Sequence, residues 1–179
     1  MILFVHPGAM PKRRKFTENT NYHVYNRWLY KQTLFHNKND FQRFLWYIDI
    51  YKKKCENDLS ILSYCILPNH FHLVVHNISD GHRLSYFIGN ICAAYTRYYK
   101  TKYSKEKGKK YFECRFKAKE ILDEEYLQQC IQYVEKNPLK HGLVDNTKDW
   151  IFRSENLHNR ACLPQAGANI ENIDWERDF

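Results

Sequence analysis

The chain has 179 residues, 44% of them hydrophobic and 16% aromatic, which is enough apolar material for one packed domain and too much for a disordered chain. The formal charge of +8 and a pI near 9.1 favour a polyanionic partner, nucleic acid ahead of an anionic membrane surface. No apolar run approaches the roughly 20 residues that span a bilayer, so no transmembrane helix and no membrane partner are expected.

Six cysteines are present, none in a C-x-x-C pair. A structural zinc ribbon is therefore not expected. Several sit among apolar neighbours, which fits reduced, buried thiols in a cytoplasmic protein. Met1-Ile2-Leu3-Phe4-Val5 is too short for a secretory signal. Met10-Pro11-Lys12-Arg13-Arg14-Lys15 reads as a natural start, with the first nine residues a leader or start-site artefact. Residues 1–21 are expected to form a flexible basic arm, 22–155 one domain, and 156–179 a C-terminal tail.

Within the domain, Tyr22–Trp28 is rich in strand formers and reads as the first strand. Asn37-Lys38-Asn39-Asp40 supplies helix-start chemistry. From Asp40 to about Cys55, Phe41, Phe44, Leu45, Ile48 and Tyr51 recur at helical spacing. Leu59–Leu67 is a second strand. It joins a third, His70–His76, through the Pro68-Asn69 turn, giving an antiparallel hairpin. A helix follows from about Leu84 to Lys100, then a short strand over Phe116–Ile121. Asp123-Glu124-Glu125 opens a last helix, which Pro138 is expected to end. Trp150, Phe152 and Trp175 are candidate anchors for the segment beyond it. The first six elements match the split β-α-β order. That predicts an α+β, ferredoxin-like antiparallel sheet with helices on one face, plus an added C-terminal helix. Such a fold hosts many activities and fixes none.

Chemistry gathers first at Leu67-Pro68-Asn69-His70-Phe71-His72. Alternate strand residues share a face, so His70 and His72 stand side by side, half of a metal site. Two ordinary strand histidines give the same spacing. On the last helix Tyr133 and Asn137 lie one turn apart on one face, a phenol that can act as nucleophile and an amide oxygen that can bind a hard cation. Tyr133 could instead pack its ring, with Tyr95, Tyr98, Tyr99 and Tyr103 as rival nucleophiles. Asn137 could be a helix C-cap, and His141 a charge at the helix end. Residues 100–119 hold nine Lys or Arg against two Glu, interleaved with Tyr103, Tyr111, Phe112 and Phe116. Lys107, Lys109, Lys110, Arg115 and Lys117 of this stretch could hold a nucleic-acid backbone while the aromatics stack unpaired bases. A solvated loop has the same composition. Arg13 and Arg14 could extend the contact to a hairpin stem.

The segments YHVYNR, LPNHFHLVVH, RFKAKEIL and YLQQCIQYVEKNPLKHGLV resemble, in order, the single-tyrosine HUH transposases of the insertion-sequence 200 type, most closely their REP-associated branch. The likeness covers about residues 11–155. It implies that His70 and His72 bind Mg²⁺ or Mn²⁺, that Asn137 completes the metal site, and that Tyr133 is the nucleophile of the catalytic helix. It further implies nicking and rejoining of single-stranded DNA beside a hairpin, through a 5′-phosphotyrosine and a free 3′-OH. Monomer and homodimer both remain open. Two other readings differ in kind. A non-catalytic nucleic-acid-binding module on the same sheet explains the charge and aromatics but not the His70–His72 and Tyr133–Asn137 spacings. A water-using metal nuclease is disfavoured, because no carboxylate cluster lies near His70.

Overall fold

The computed structural model describes residues 14–103 and 111–154. Four strands form one antiparallel sheet: β1 (Thr20–Arg27), β2 (Leu59–Leu67), β3 (His70–Asn77) and β4 (Lys117–Ile121), in spatial order β2-β3-β1-β4. Three helices connect or follow them: α1 (Lys38–Lys53), α2 (Arg83–Tyr103) and α3 (Glu124–Lys140). The β-α-β-β-α-β order with this sheet topology is the ferredoxin-like arrangement expected from the sequence. Among the described residues no helix is long and apolar enough to cross a membrane.

Strand alternation decides what each face of the sheet carries. On β3, Phe71 points toward α1, its ring 5.1 Å from that of Phe44. His72 points the other way, toward α3. Helices α1 and α2 therefore cover one face, with Phe35, Phe41, Phe44, Phe71, Phe87 and Tyr95 fully buried between them and the sheet. Deleting one such phenylalanine ring should cost about 3–5 kcal/mol. Helix α3 alone covers part of the opposite face, where the histidines lie.

A buried carboxylate locks α1 to α2. Asp40 accepts from the backbone N–H groups of His36 and Asn37 at the start of α1. It also takes Lys102 Nζ and the Tyr98 hydroxyl at 2.7 Å and the Tyr103 hydroxyl at 2.6 Å, all from α2. Burial works to raise its pKa, but these hydrogen bonds outweigh burial and hold the carboxyl below its ordinary value.

Two expectations change. Helix α3 does not stop before Pro138 but carries it inside and ends at Lys140, with His141 as C-cap. A proline removes one ladder donor, and here only two helical residues follow it. Burial of both Asn137 and Pro138 against the sheet, and end bonds from His141 N–H to Asn137 O and Leu143 N–H to Pro138 O, compensate for that loss. Part of the stretch expected as a basic arm is packed on the domain: Phe16 is buried and bridges Gly81, and β1 already begins at Thr20; residues 1–13 lie outside the described residues. After α3 the chain is anchored as expected by Trp150 and Phe152. Trp150 Nε1 donates to Ile66 O, Ile66 N–H donates to Phe152 O, and Ser154 N–H donates to Tyr64 O. That return covers the outer edge of β2. Trp175, the 156–179 tail and the alternative start at Met10 lie outside the described residues. The five described cysteines are all free thiols, four of them buried.

Candidate active site

Helix α3 is set by its own N-terminus. Asp123 caps it, accepting from Tyr126 N–H at 2.7 Å, and Glu124 and Glu125 occupy the positive end. Leu127, Cys130, Val134 and Asn137 form the stripe pressed on the sheet. Tyr126 and Tyr133, each one residue before a stripe position, flank it and open into a cleft of about 680 Å³ between α3 and the sheet. Tyr133 keeps 41% of its surface exposed, so its hydroxyl can meet a large substrate.

Register brings the sheet's contribution together. Arg27 lies opposite His70, Tyr25 opposite His72 and His23 opposite Val74 on β3, while Lys117 and Lys119 of β4 lie opposite Tyr25 and His23. All of these except Val74 line the cleft. The His70 and His72 rings are 5.1 Å apart, and the His72 and Tyr133 rings 5.8 Å apart. Lys140 Nζ sits 5.0 Å from the Tyr133 ring centroid and Lys117 Nζ 5.8 Å from that of Tyr25. Buried Asn26 donates from Nδ2 to the carbonyls of Cys114 and Arg115, which fastens the strand entry carrying Lys117 to β1.

Each candidate metal donor has one polar atom tied and another left over. Asn69 donates from Nδ2 to Lys31 O, which fixes its amide so that Oδ1 faces His70 Nδ1. His72 Nδ1 lies 2.9 Å from His23 Nε2. Asn137 Nδ2 donates to Tyr133 O at 2.9 Å, and Oδ1 is buried without a hydrogen-bond partner. An orphaned buried carbonyl is unfavourable unless a cation or proton meets it. The described residues hold no group of three or more His, Cys, Asp or Glu placed for a metal. The Nε2 atoms of His70 and His72 and the Asn137 oxygen are nitrogen and oxygen donors of the kind a hard divalent ion accepts.

Burial keeps the imidazoles neutral, the form that ligates. It lowers His70 to about 3, helped by His141 and Arg27, and His23 to about 4, helped by Lys119. His72 falls well below its ordinary value by burial and then the charges of His70, His23, His141 and Arg27. His141, for which a charge at the helix end was one reading, is also lowered, by burial and then Arg27 and Lys140. Its ring packs 5.1 Å from that of His70.

The sequence-predicted residues thus divide. His70, His72, Tyr133 and Lys117 share the cleft. Asn137 is fully buried on the next turn of α3. Arg115 is exposed beside a second groove with Phe116 and α2. Arg14 packs over Phe16, and its carbonyl accepts from His82 and Ser85, at the end of β3 remote from His70. Arg13, Lys107, Lys109 and Lys110 lie outside the described residues. The sequence alone gives His23, Tyr25, Arg27 and Lys140 no role, and Lys119 only a share in the basic stretch 100–119. The strand period does place His23, Tyr25 and Arg27 on one face, but only the β1–β3 register puts that face beside His70.

The fold thus sets a histidine pair under an exposed helical tyrosine in a basic cleft. The family model "Transposase IS200 like" matches residues 16–137, and the chain belongs to that family. It is 30% identical over 112 residues to a Haemophilus influenzae protein assigned as a REP-associated tyrosine transposase; the match takes in 58% of this chain and spans 64% of that relative's length. A solved REP-associated tyrosine transposase bound to a REP hairpin shares the fold, with a TM-score of 0.63, 20% identity, and coverage of 80% of this chain and 81% of that one.

Proposed function

We propose that the protein nicks and rejoins single-stranded DNA beside a hairpin, with Tyr133 as nucleophile. The observation that carries this is the position of an exposed tyrosine over a buried, neutral histidine pair in a basic cleft. Arg27, Lys117, Lys119 and Lys140 hold the DNA backbone by charge, and Tyr25 and Tyr126 offer faces for unpaired bases. The Tyr133 oxygen attacks the phosphorus and the bond to the 3′-oxygen breaks. The phenol gives up its proton and the departing 3′-oxygen gains one. The products are a 5′-phosphotyrosine and a free 3′-OH. One phosphate ester forms for each one broken, so the reverse attack by a 3′-OH reseals DNA and restores the phenol without external energy. Lys140, beside the Tyr133 ring, supplies positive charge where the phenol loses its proton.

His70 Nε2, His72 Nε2 and Asn137 Oδ1 would hold Mg²⁺ or Mn²⁺. When bound, the ion supplies Lewis-acid stabilisation of charge on the scissile phosphate.

The test is a cleavage assay on an end-labelled single strand carrying a hairpin and its flanks, with Mn²⁺ present and absent. Metal-dependent nicking by the wild type, lost in Tyr133→Phe, supports the reading. Binding without nicking would assign the cleft to a non-catalytic binder, and nicking retained in Tyr133→Phe would assign cleavage to water.

A further inference from the structure

We propose that His23 is the positioning residue of this site: it receives the Nδ1 proton of His72 and so turns the Nε2 lone pair of His72 into the cleft. The inference rests on the proposed function and deepens it. His23 lies opposite Val74, and Tyr25 lies opposite His72, so His23 and His72 are diagonal neighbours across β1 and β3. Diagonal side chains meet when both are long or aromatic. Here they do: Nε2 of His23 is 2.9 Å from Nδ1 of His72, with ring centroids 5.1 Å apart and planes within 24°.

The neighbouring histidine shows what such a partner does. Asn69 Oδ1 can only accept, because its Nδ2 is committed to Lys31 O. His70 must therefore carry its proton on Nδ1 and leave Nε2 as the lone pair. His72 has no amide partner on its Nδ1; His23 stands in that place. A neutral histidine pair shares one proton across the gap, and the two directions have opposite consequences. If His72 donates, both strand histidines present Nε2 lone pairs from one face of β3. If His23 donated, His72 would carry its proton on the cleft side and could not ligate. Metal-bound histidines almost always give their second ring proton to such an outer partner. The His23 ring is also held between Tyr25 at 5.1 Å and Tyr133 at 6.0 Å, which limits its swing.

The experiment uses full-length protein and two substitutions. His23→Leu keeps bulk and removes the acceptor; His23→Gln restores a carbonyl oxygen near the position of Nε2. Long-range ¹H–¹⁵N spectra of metal-free protein read the His72 tautomer directly, and Mn²⁺ titration followed by electron paramagnetic resonance reads affinity. The wild type should show His72 protonated on Nδ1. His23→Leu should shift it toward the Nε2-protonated form and weaken Mn²⁺ binding about 10–100-fold, while His23→Gln stays within a few-fold of the wild type. A wild-type His72 protonated on Nε2, or His23→Leu with unchanged tautomer and affinity, overturns the assignment. Wild-type protein with the Nδ1 tautomer but no Mn²⁺ binding would overturn the metal reading and leave the tautomer claim standing.

Discussion

Tyr133 stands edge-on over His72, their rings 5.8 Å apart and 86° from coplanar. The first belongs to a helix and the second to a strand, 61 positions earlier in the chain. The contact exists because α3 crosses the sheet face opposite to α1 and α2. Everything chemical in the cleft follows from that placement. The strand supplies two buried imidazoles, the helix an exposed phenol one turn before an unsatisfied amide, and β4 lysines at the rim.

The unsatisfied amide gives the first prediction. Asn137 Oδ1 is buried with no partner, which costs about 1–3 kcal/mol in metal-free protein. Asn137→Leu should leave metal-free stability equal or raise it by about 1 kcal/mol, while Mn²⁺ affinity falls. Urea unfolding with and without Mn²⁺ measures both. A large stability loss without metal would make Asn137 a structural residue.

The neutral imidazoles make stability depend on pH. Burial lowers His23 and His70 from an ordinary 6.5 in the unfolded chain to about 4 and about 3 in the folded one. The unfolded chain binds more protons between those limits. The stability they confer is present in full above pH 6.5 and is gone once the pH has fallen through the folded values. The melting temperature of metal-free protein should drop by roughly 10–20 °C from pH 7 to pH 4.5. His70→Gln should flatten that slope; a flat wild-type profile would contradict the burial argument.

How much of this was legible beforehand depends on how local each signal is. The His70–Phe71–His72 alternation and the Tyr133–Asn137 spacing are read within one element, so they stood out. His23 occupies the same alternation in Tyr22-His23-Val24-Tyr25, but a single histidine carries no spacing. Its meaning comes from the β1–β3 register, a non-local fact. Arg27 was hidden for the same reason. Pro138 misled because the rule at a proline is local, whereas burial of Asn137 and Pro138 is tertiary.

The rim lysines should act as backbone contacts. Lys117→Ala and Lys119→Ala should each weaken single-strand binding and lower the salt dependence of log K by about 0.7–1. Fluorescence anisotropy across a salt series reads the slope. An unchanged slope would remove the residue from the interface.

The Asp40 lock is separate from the chemistry. Asp40→Asn should destabilise the protein by about 2–4 kcal/mol, while nicking per folded molecule stays near wild type. Since the folded carboxyl lies below its ordinary value of 3.8, the gap between variant and wild type should be constant above that pH and close as pH falls through the folded value. Denaturant titrations at pH 7 and pH 3 measure it. A gap that widens in acid would contradict the hydrogen-bonded carboxylate.

The most direct measurement is to trap the protein on single-stranded flanking DNA with Mn²⁺, digest it, and find by mass spectrometry which side chain carries the 5′-phosphate. The account predicts one nucleotide-bearing peptide with the phosphate on Tyr133, and its loss, by about 10³-fold or more, in Tyr133→Phe. Phosphate on another tyrosine, or clean cleavage with no adduct, would contradict it.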